Sequence, residues 1–256
     1  MKENLGGKET LIKRPLVIGF VGCLASGKTT LSGELGRRWS VTPIEEKYTE
    51  NPYLAKFYAS PYEYSFRCQF HFMLSKMEQL EKLDINETTT IIDPSLTMDF
   101  IYAQTHHKMG WMNDKEWNLY NTAFFALAEA KHLVYPDMHV VVSASQDDLK
   151  RRIVERGRAY ELWILKNYPE YLEKLSESVE EWRQEKDNNT FKLFAYTSCG
   201  NETSSVESLA NRIETYILLK FKQDNRFVLP AIPVGQNSGG VDVFHGLSGE
   251  SLRLRL

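Results

Sequence analysis

The sequence has few cysteines and no long apolar stretch, and both shortages exclude whole classes of protein. Its three cysteines are widely spaced and form neither a disulfide framework nor a CxxC metal pattern; they are Cys23, Cys68 and Cys199. This usage favours a reducing, intracellular compartment. No apolar run approaches the roughly 20 residues that span a bilayer, and the first ten residues lack the apolar core of a signal peptide. We therefore expect a cytoplasmic protein without a membrane partner, with an organelle as the alternative location.

An excess of positive charge is also missing. The chain carries 31 Lys and Arg against 34 Asp and Glu, a formal net charge of −3, and its pI is near 6.1. Because duplex nucleic acid demands a large basic surface, we expect no nucleic-acid partner. With 256 residues, 42% of them hydrophobic and 25% charged, the composition is typical of a globular protein with one α/β domain or two small ones.

Apolar runs of strand length alternate along the chain with segments whose apolar residues recur at helical spacing. The strands are predicted at residues 16–21, 41–44, 88–92, 139–143 and 191–197. The helices are predicted at residues 30–39, 61–83, 116–132, 147–156, 169–186 and 206–221. This alternation is typical of an α/β fold in which a parallel sheet has helices on both faces.

The two ends of the chain differ in composition from this central region. Residues 1–14 are polar and lysine-rich and predict a flexible N-terminal arm, whereas residues 223–256 form a tail containing Pro, Gly and Ser, for which disorder is one interpretation. The folded domain is expected at residues 15–222. Within the helix at 116–132, the core candidates are Leu119, Phe124, Leu127 and Ala128.

A phosphate-binding motif stands between the first predicted strand and helix. Residues 22–29 match G-x-x-x-x-G-K-[ST], in which glycines let backbone N–H groups face the phosphates and the next helix presents its positive end. Lys28 is placed to reach the outer phosphates and Thr29 to ligate Mg²⁺. The predicted triphosphate-binding residues are Gly22, Cys23, Leu24, Ala25, Ser26, Gly27, Lys28, Thr29 and Thr30.

This motif alone leaves the use of the nucleotide open. The N-K-x-D signal with which GTPases recognise their base is not in the sequence. Helicases and AAA-type ATPases add an apolar strand ending in Asp-Glu, whereas the strand at 88–92 runs into Asp93-Pro94. Asp93 is predicted to hold Mg²⁺ through water or to contact the substrate, and a surface or capping aspartate is the alternative.

One predicted helix and the residues just beyond it carry a cluster of cations. They are Arg151, Arg152, Arg156 and Arg158. Such cations repel one another unless they bind an anion, and in phosphoryl transfer they stabilise the charge on the moving group. The alternative is a solvated basic face paired with Glu155 and Glu161.

Several blocks of sequence between Pro15 and Phe221 follow one another in the order of a known family. They are VGCLASGKTT, EEKYTENPYLAKFY, FRCQFHFMLSK, DPSLTMDFIYA, RRIVERGRAYE and EYLEKL. On these blocks the chain resembles the deoxyribonucleoside kinase family, which includes deoxycytidine, deoxyguanosine and deoxyadenosine kinases. The resemblance implies a P-loop kinase fold with an arginine-rich lid, ATP and Mg²⁺, a homodimer, and phosphorylation of the 5′-hydroxyl of a deoxyribonucleoside in nucleotide salvage.

The resemblance also implies roles for individual residues. Glu46 falls where the family has the carboxylate that accepts the 5′-hydroxyl proton, and Glu45 is the alternative if the register slips by one. The positions that match substrate contacts are Tyr58 and Glu161 at the sugar 3′-hydroxyl and Gln69, Lys76 and Asp99 around the base. The positions that match the catalytic lid are Arg152, Arg156 and Arg158. The alternatives are core packing for Tyr58, an ordinary amide for Gln69 and an arginine pair for Glu161.

The sequence departs from the family pattern at two positions. Many members have an arginine directly after the carboxylate at Asp93, whereas this chain has Pro94, which leaves Asp93 without an adjacent cation. Lys76 replaces the more usual arginine and exchanges a planar fork for a point charge. Base preference therefore cannot be copied from any one relative.

Other residues are weaker candidates for a site. The pair His106-His107 lacks further metal ligands and is predicted to lie in a loop. Cys23 is interpreted as a small packing residue rather than a redox site. The remaining aromatic candidates are interpreted as core or interface residues; they are Trp111, Trp117, Trp163 and Trp182.

We therefore expect a P-loop kinase that transfers the γ-phosphate of ATP to a deoxyribonucleoside. One alternative is a nucleoside monophosphate kinase of the thymidylate kinase type, which needs extra cations to hold the acceptor phosphate. The other is a kinase-like subunit that binds nucleotide without catalysis. Pro94 is the feature that favours this second alternative.

Overall fold

The computed structural model describes residues 14–185, 190–198, 205–221 and 228–229. Within these residues one parallel sheet has the strand order β2-β3-β1-β4-β5. The strands are β1 Val17–Gly22, β2 Ile44–Glu45, β3 Thr90–Asp93, β4 Met138–Ser143 and β5 Phe191–Tyr196. The sheet confirms the predicted fold class.

Helices cover both faces of this sheet. They are α1 Lys28–Trp39, α2 Leu54–Ala59, α3 Pro61–Glu81, α4 Leu96–Lys108, α5 Asp114–Ala130, α6 Gln146–Arg156, α7 Ala159–Asn167, α8 Tyr171–Gln184 and α9 Val206–Phe221. Side chains alternate along each strand, so Phe20 of β1 joins the core under α1 and α9, and Val21 joins the core under α4, α6 and α8. A third cluster lies between α3, α4 and α5. Among the helices of the described residues, none combines the length and apolar character needed to cross a bilayer.

The topology brings three separated segments to one edge of the sheet. Because the strands are parallel, their carboxyl ends meet there, and ligands of open α/β sheets bind at this edge. The phosphate loop follows β1, Asp93 ends β3 and Glu46 directly follows β2. These are the segments in which the sequence analysis placed its main site residues.

Where the sequence predicted an element other than β2, the observed bounds agree within two residues. The second strand is present, but the bounds expected at 41–44 are wrong: β2 begins only at Ile44, because the N–H of Val41 bonds to Gly36 O at 2.9 Å and closes α1. Helices α2, α4 and α7 were not predicted. Helix α4 packs against α3, α5, α8 and β1 together, so its apolar residues do not form a one-sided stripe.

Two side-chain predictions are also corrected. His106 and His107 lie in the last turn of α4, not in a loop, and His106 is fully buried. Leu119 was expected in the core but is 56% exposed, because α5 packs through a different face that carries Tyr120 and Phe124.

The predicted arm and tail fall largely outside the described residues. Arg14, at the end of the predicted arm, pairs with Asp137 at 2.7 Å. Val228, within the predicted tail, exchanges two hydrogen bonds with Thr89: its carbonyl accepts from the Thr89 N–H at 2.7 Å, and its N–H donates to Thr89 Oγ1 at 3.1 Å. The division of the chain at residues 14 and 222 stays a prediction.

Candidate active site

The phosphate loop connects β1 to α1 and requires glycine at both of its ends. A Cβ at Gly22 would lie 2.2 Å from the carbonyl oxygen of Val142 in the neighbouring strand. Gly27 has φ +100°, a left-handed conformation that glycine adopts without strain. The loop therefore holds its backbone against β4 and directs the positive end of α1 outward.

An outer cleft of about 680 Å³ opens over this loop. Its lining includes the predicted loop residues from Leu24 to Thr30, together with Glu45, Glu46, Asp93, Pro94, Arg152, Arg156, Arg158 and Thr197. The Lys28 ammonium donates to the carbonyl oxygens of Gly22 and Cys23 at 2.9 and 3.0 Å. Burial lowers the pKa of Lys28, and the nearby charge of Asp93 opposes this shift.

Arg152 is tied to the phosphate loop. Its guanidinium donates to the carbonyl oxygens of Ala25 and Ser26, each at 3.2 Å, and to Thr197 Oγ1 at 2.9 Å. It also donates to the carbonyl oxygen of Thr197. Thr197 Oγ1 in turn donates to Ser26 O at 2.6 Å, so β5 and α6 brace the loop from one side.

The other three arginines have carboxylate partners. Arg156 forms an ion pair with Glu161 at 2.6 Å, and Arg158 pairs with the same carboxylate at 3.3 Å. Arg151 instead bonds to Asp148 and Glu155 and does not line the outer cleft. Three of the four predicted arginines therefore face the cleft. That the segment closes as a lid stays a prediction.

An inner cavity of about 90 Å³ adjoins the outer cleft. It is lined by Leu24, Glu46, Tyr48, Leu54, Phe57, Tyr58, Gln69, Phe72, Asp99, Tyr102, Arg158, Tyr160, Glu161 and Tyr171. Five of the predicted substrate residues are among them: Glu46, Tyr58, Gln69, Asp99 and Glu161. Lys76 is buried but outside the lining, and Asp93 lines only the outer cleft.

The neighbouring carboxylates Glu45 and Glu46, at the end of β2, differ in how far they are exposed. Glu45 is exposed and lines only the outer cleft, whereas Glu46 is half-buried and lines both cavities. Burial raises the pKa of Glu46, while the positive charges of Lys76 and Lys28 oppose the rise. Burial also raises the pKa of Asp99 well above its usual range, and the charge of Glu46 adds to that shift.

Three buried polar atoms around the inner cavity have neither a hydrogen-bond partner nor an ion-pair partner within the described residues. They are Oε1 of Gln69, Nζ of Lys76 and Oδ2 of Asp99. Buried polar groups are normally paired, and a cluster of exceptions indicates a ligand that pairs them. A ligand that satisfies all three must offer both donors and acceptors.

Asp93 is held at the edge of the outer cleft. Its Oδ2 accepts from Ser32 Oγ at 2.8 Å, while its buried Oδ1 has no partner within the described residues. The ammonium of Lys28 interacts electrostatically with it, so a cation is supplied from the loop although Pro94 is not an arginine. The free oxygen of Asp93 and the Thr29 hydroxyl, which lines the same cleft, are the ligand types that Mg²⁺ prefers.

Sequence reasoning missed the aromatic walls of the cavity. Tyr160 stacks on Tyr58 with ring centroids 4.7 Å apart. Behind the wall, His106 bonds through Nδ1 to Ser65 Oγ at 2.8 Å and through Nε2 to the hydroxyl of Tyr171 at 3.0 Å. Burial lowers the pKa of His106 to about 3, so it is a neutral packing residue. Tyr48 and Tyr160 lie within two residues of Glu46 and Arg158, and this proximity is the signal that could have found them.

A phosphate loop at the end of β1, with an adjoining cavity that shares one carboxylate with it, defines a P-loop kinase. The sequence model of the family "Deoxynucleoside kinase" matches residues 18–218. The chain therefore belongs to the deoxynucleoside kinase family, as the resemblance implied, and is an enzyme that phosphorylates a deoxynucleoside from a nucleoside triphosphate. This assignment favours a nucleoside acceptor over the monophosphate acceptor of the thymidylate kinase alternative.

Individual relatives agree with this assignment. The chain is 27% identical over 162 residues to the deoxyadenosine/deoxycytidine kinase of Bacillus subtilis, covering 63% of this chain and 75% of the relative. It is 25% identical over 217 residues to the deoxyguanosine kinase of Lactobacillus johnsonii, covering 82% and 95%. The structure of deoxyadenosine kinase from M. mycoides with bound dCTP has a TM-score of 0.66 and 23% identity, covering 78% of this chain and all of that one, which supports the fold.

Proposed function

We propose that Glu46 accepts the 5′-hydroxyl proton of a deoxynucleoside while ATP lies in the outer cleft. The observation that carries this proposal is that Glu46 is the one carboxylate, among the described residues, that lines both cavities. A hydroxyl in the inner cavity and a γ-phosphate in the outer cleft meet beside this side chain. A base, or at least an acceptor that orients the hydroxyl, is what a weak alcohol nucleophile needs.

The outer cleft supplies the positive charge for the donor. The amides of the loop and Lys28 would hold the phosphates, and Arg152, Arg156 and Arg158 would stabilise the charge on the moving phosphoryl group. Thr29 and the free oxygen of Asp93 would hold Mg²⁺, directly or through water. When bound, the ion supplies charge neutralisation between the phosphates.

The inner cavity would hold the nucleoside. Tyr58 and Glu161 would bind the sugar 3′-hydroxyl. Gln69, Lys76 and Asp99 would bind the base, since their unpartnered atoms demand a ligand with both donors and acceptors. The relatives are named for deoxyadenosine, deoxycytidine and deoxyguanosine. These nucleosides all carry an exocyclic amino group, and we expect an amino-bearing base here.

The test compares Glu46→Gln with the matched control Glu45→Gln, using radiolabelled ATP against four deoxynucleosides and their monophosphates. We expect Glu46→Gln to lower turnover by about 100-fold or more, the range of a lost general base, with ATP affinity unchanged. Glu45→Gln is expected to leave both unchanged. Undiminished turnover in Glu46→Gln would remove Glu46 from the mechanism, and preferred phosphorylation of a monophosphate would overturn the acceptor.

The homodimer and the reducing compartment stay part of this proposal. Leu119 and Phe125 of α5 are 56% and 54% exposed, and apolar side chains of this size are typical of a protein interface. Light scattering of the purified chain tests the assembly, and a monomer at micromolar concentration would exclude it.

A further inference from the structure

We infer that Tyr48 is a positioning residue that holds the guanidinium of Arg158 at the junction between the outer cleft and the inner cavity. The inference deepens the proposed function and rests on it. It assigns to Tyr48 a part in phosphoryl transfer that acts through Arg158, without contact with the reacting atoms.

Tyr48 contacts the guanidinium in two ways. The central carbon of the Arg158 guanidinium lies 4.7 Å from the centre of the Tyr48 ring, within the range of a cation–π interaction. Nη2 of Arg158 also donates to the hydroxyl of Tyr48 at 3.3 Å. On its other side, Nη1 donates to Glu161 Oε1 at 3.3 Å. A ring face, a hydroxyl and a carboxylate therefore fix the fork of Arg158 in one orientation.

The contact between Tyr48 and Arg158 lies where it can affect phosphoryl transfer. Tyr48 and Arg158 are, like Glu46, among the few residues that line both cavities. A cation held at this junction stands where the phosphoryl group passes from donor to acceptor. Stabilisation there is strongest when the cation is positioned before the charge develops.

The backbone of Tyr48 is held in place by the turn that it begins. It begins the 3₁₀ turn Tyr48–Glu50, two residues after Glu46, and its carbonyl accepts from the N–H of Asn51. The buried side chain of Asn51 donates through Nδ2 to the carbonyl oxygen of Cys68 in α3 at 3.1 Å. The turn is thus attached to the core of the protein, which fixes the backbone from which the Tyr48 ring projects.

Arg158 depends on such a surface more than Arg152 does. Arg152 is tied by four hydrogen bonds to the loop and to Thr197. Arg158 has a side chain 33% exposed and shares its carboxylate partner, Glu161, with Arg156. Without the Tyr48 ring, the long side chain of Arg158 would sample several rotamers. Its guanidinium would then spend less time at the junction between the two cavities.

The experiment is a double-mutant cycle with Tyr48→Leu, Arg158→Met and the double variant, together with Tyr48→Phe. We expect Tyr48→Leu to lower kcat by about 10-fold, the strength of a partly desolvated cation–π contact, with the KM for the nucleoside little changed. Tyr48→Phe keeps the ring and is expected to lose less. In the Arg158→Met background, Tyr48→Leu is expected to have no further effect. Tyr135→Leu, which removes a half-exposed tyrosine outside both cavities, is the matched control.

Several results would overturn the inference. Equal losses from Tyr48→Leu in both backgrounds would mean that Tyr48 acts independently of Arg158, and an unchanged kcat in Arg158→Met would mean that there is no cation to position. A higher kcat in Tyr48→Leu would mean that the ring holds Arg158 in an unproductive place. Thermal melting of each variant separates these results from loss of the fold. The loss in Glu46→Gln tests the proposed function separately, because neither residue of the cycle is altered in it.

Discussion

The outer cleft and the inner cavity adjoin, but they are built in opposite ways. The floor of the outer cleft is a contiguous stretch, residues 24–31, that includes most of the phosphate loop, and loops of this kind bind phosphates largely through their backbone. The inner cavity takes side chains from the phosphate loop, the segment after β2, α2, α3, α4, α7 and α8. A phosphate loop can therefore be recognised in one short segment of the sequence, whereas the inner cavity forms only after the helices have packed.

The two regions also differ in how their charges are balanced. In the outer cleft the arginines already have carboxylate or carbonyl partners within the described residues. Around the inner cavity, Gln69, Lys76 and Asp99 keep buried atoms without partners. The arginines of the outer cleft are thus already paired, although Asp93 Oδ1 at its edge has no partner within the described residues, and the polar groups around the inner cavity leave hydrogen bonds for a ligand to make.

The largest effect on turnover is expected from a substitution that changes the outer cleft and leaves the inner cavity unaltered. Lys28→Met removes the cation of the phosphate loop, and we expect a loss of kcat on the order of 10³-fold, as for a transition-state donor, with ATP binding weakened. Nucleoside binding, measured by calorimetry without ATP, is expected to persist because Lys28 does not line the inner cavity. The exposed Lys150→Met in α6 is the control. Loss of nucleoside binding in Lys28→Met would show that the two regions are one site.

A smaller effect is expected when a positive charge beside the inner cavity is removed, because that charge acts on Glu46, which lines both cavities. The positive charge of Lys76 opposes the rise in the pKa of Glu46. Removing that charge in Lys76→Met raises the pKa further, so the acid limb of kcat/KM against pH is expected to move to higher pH. Lys76→Arg keeps the charge and should restore the limb, and the exposed Lys82→Met should not move it. An unmoved limb in Lys76→Met would place Lys76 out of electrostatic reach of Glu46.

The smallest effect concerns two buried thiols, neither of which lines the outer cleft or the inner cavity. Burial raises the pKa of Cys23, in the phosphate loop, and of Cys68, in α3 beside the cavity. Both are expected to stay unmodified by iodoacetamide at pH 8 in the folded protein and to react after denaturation. Peptide mapping by mass spectrometry measures each site. Rapid labelling of Cys23 in the native state would contradict the packing interpretation.

The parts of the fold and of the site that could be predicted from the sequence also differ between the outer cleft and the inner cavity. The glycines and Lys28 of the loop were predictable because the pattern that defines a phosphate loop lies within eight consecutive positions. The parallel sheet followed from β-branched runs such as residues 88–92. Helix α4 was not predicted because it is packed on several sides. As a result, the burial of His106 and the position of the cavity wall were not predicted either.

The resemblance, rather than periodicity, placed Tyr58, Gln69 and Glu161 at one site. The spacing of these residues along the chain carries no distance information, and only the packing of α2, α3 and α7 brings them to one cavity. Tyr48 was overlooked because an aromatic residue beside a carboxylate has no distinctive pattern. Its contact with Arg158 joins residues that are 110 positions apart in the chain.

Glu46 stands under the influence of Lys28 from the outer side and Lys76 from the inner side. A polyphosphate bound at Lys28 would offset part of the positive charge that acts on this carboxylate, and the 5′-hydroxyl of a nucleoside would donate to the same carboxylate. Each ligand would therefore affect the proton occupancy of a group that the other ligand also senses. By thermodynamic reciprocity, donor and acceptor affinities must then depend on each other, and the strength of that dependence must vary with pH. Such a shared proton would couple the binding of the two substrates without movement of any strand or helix.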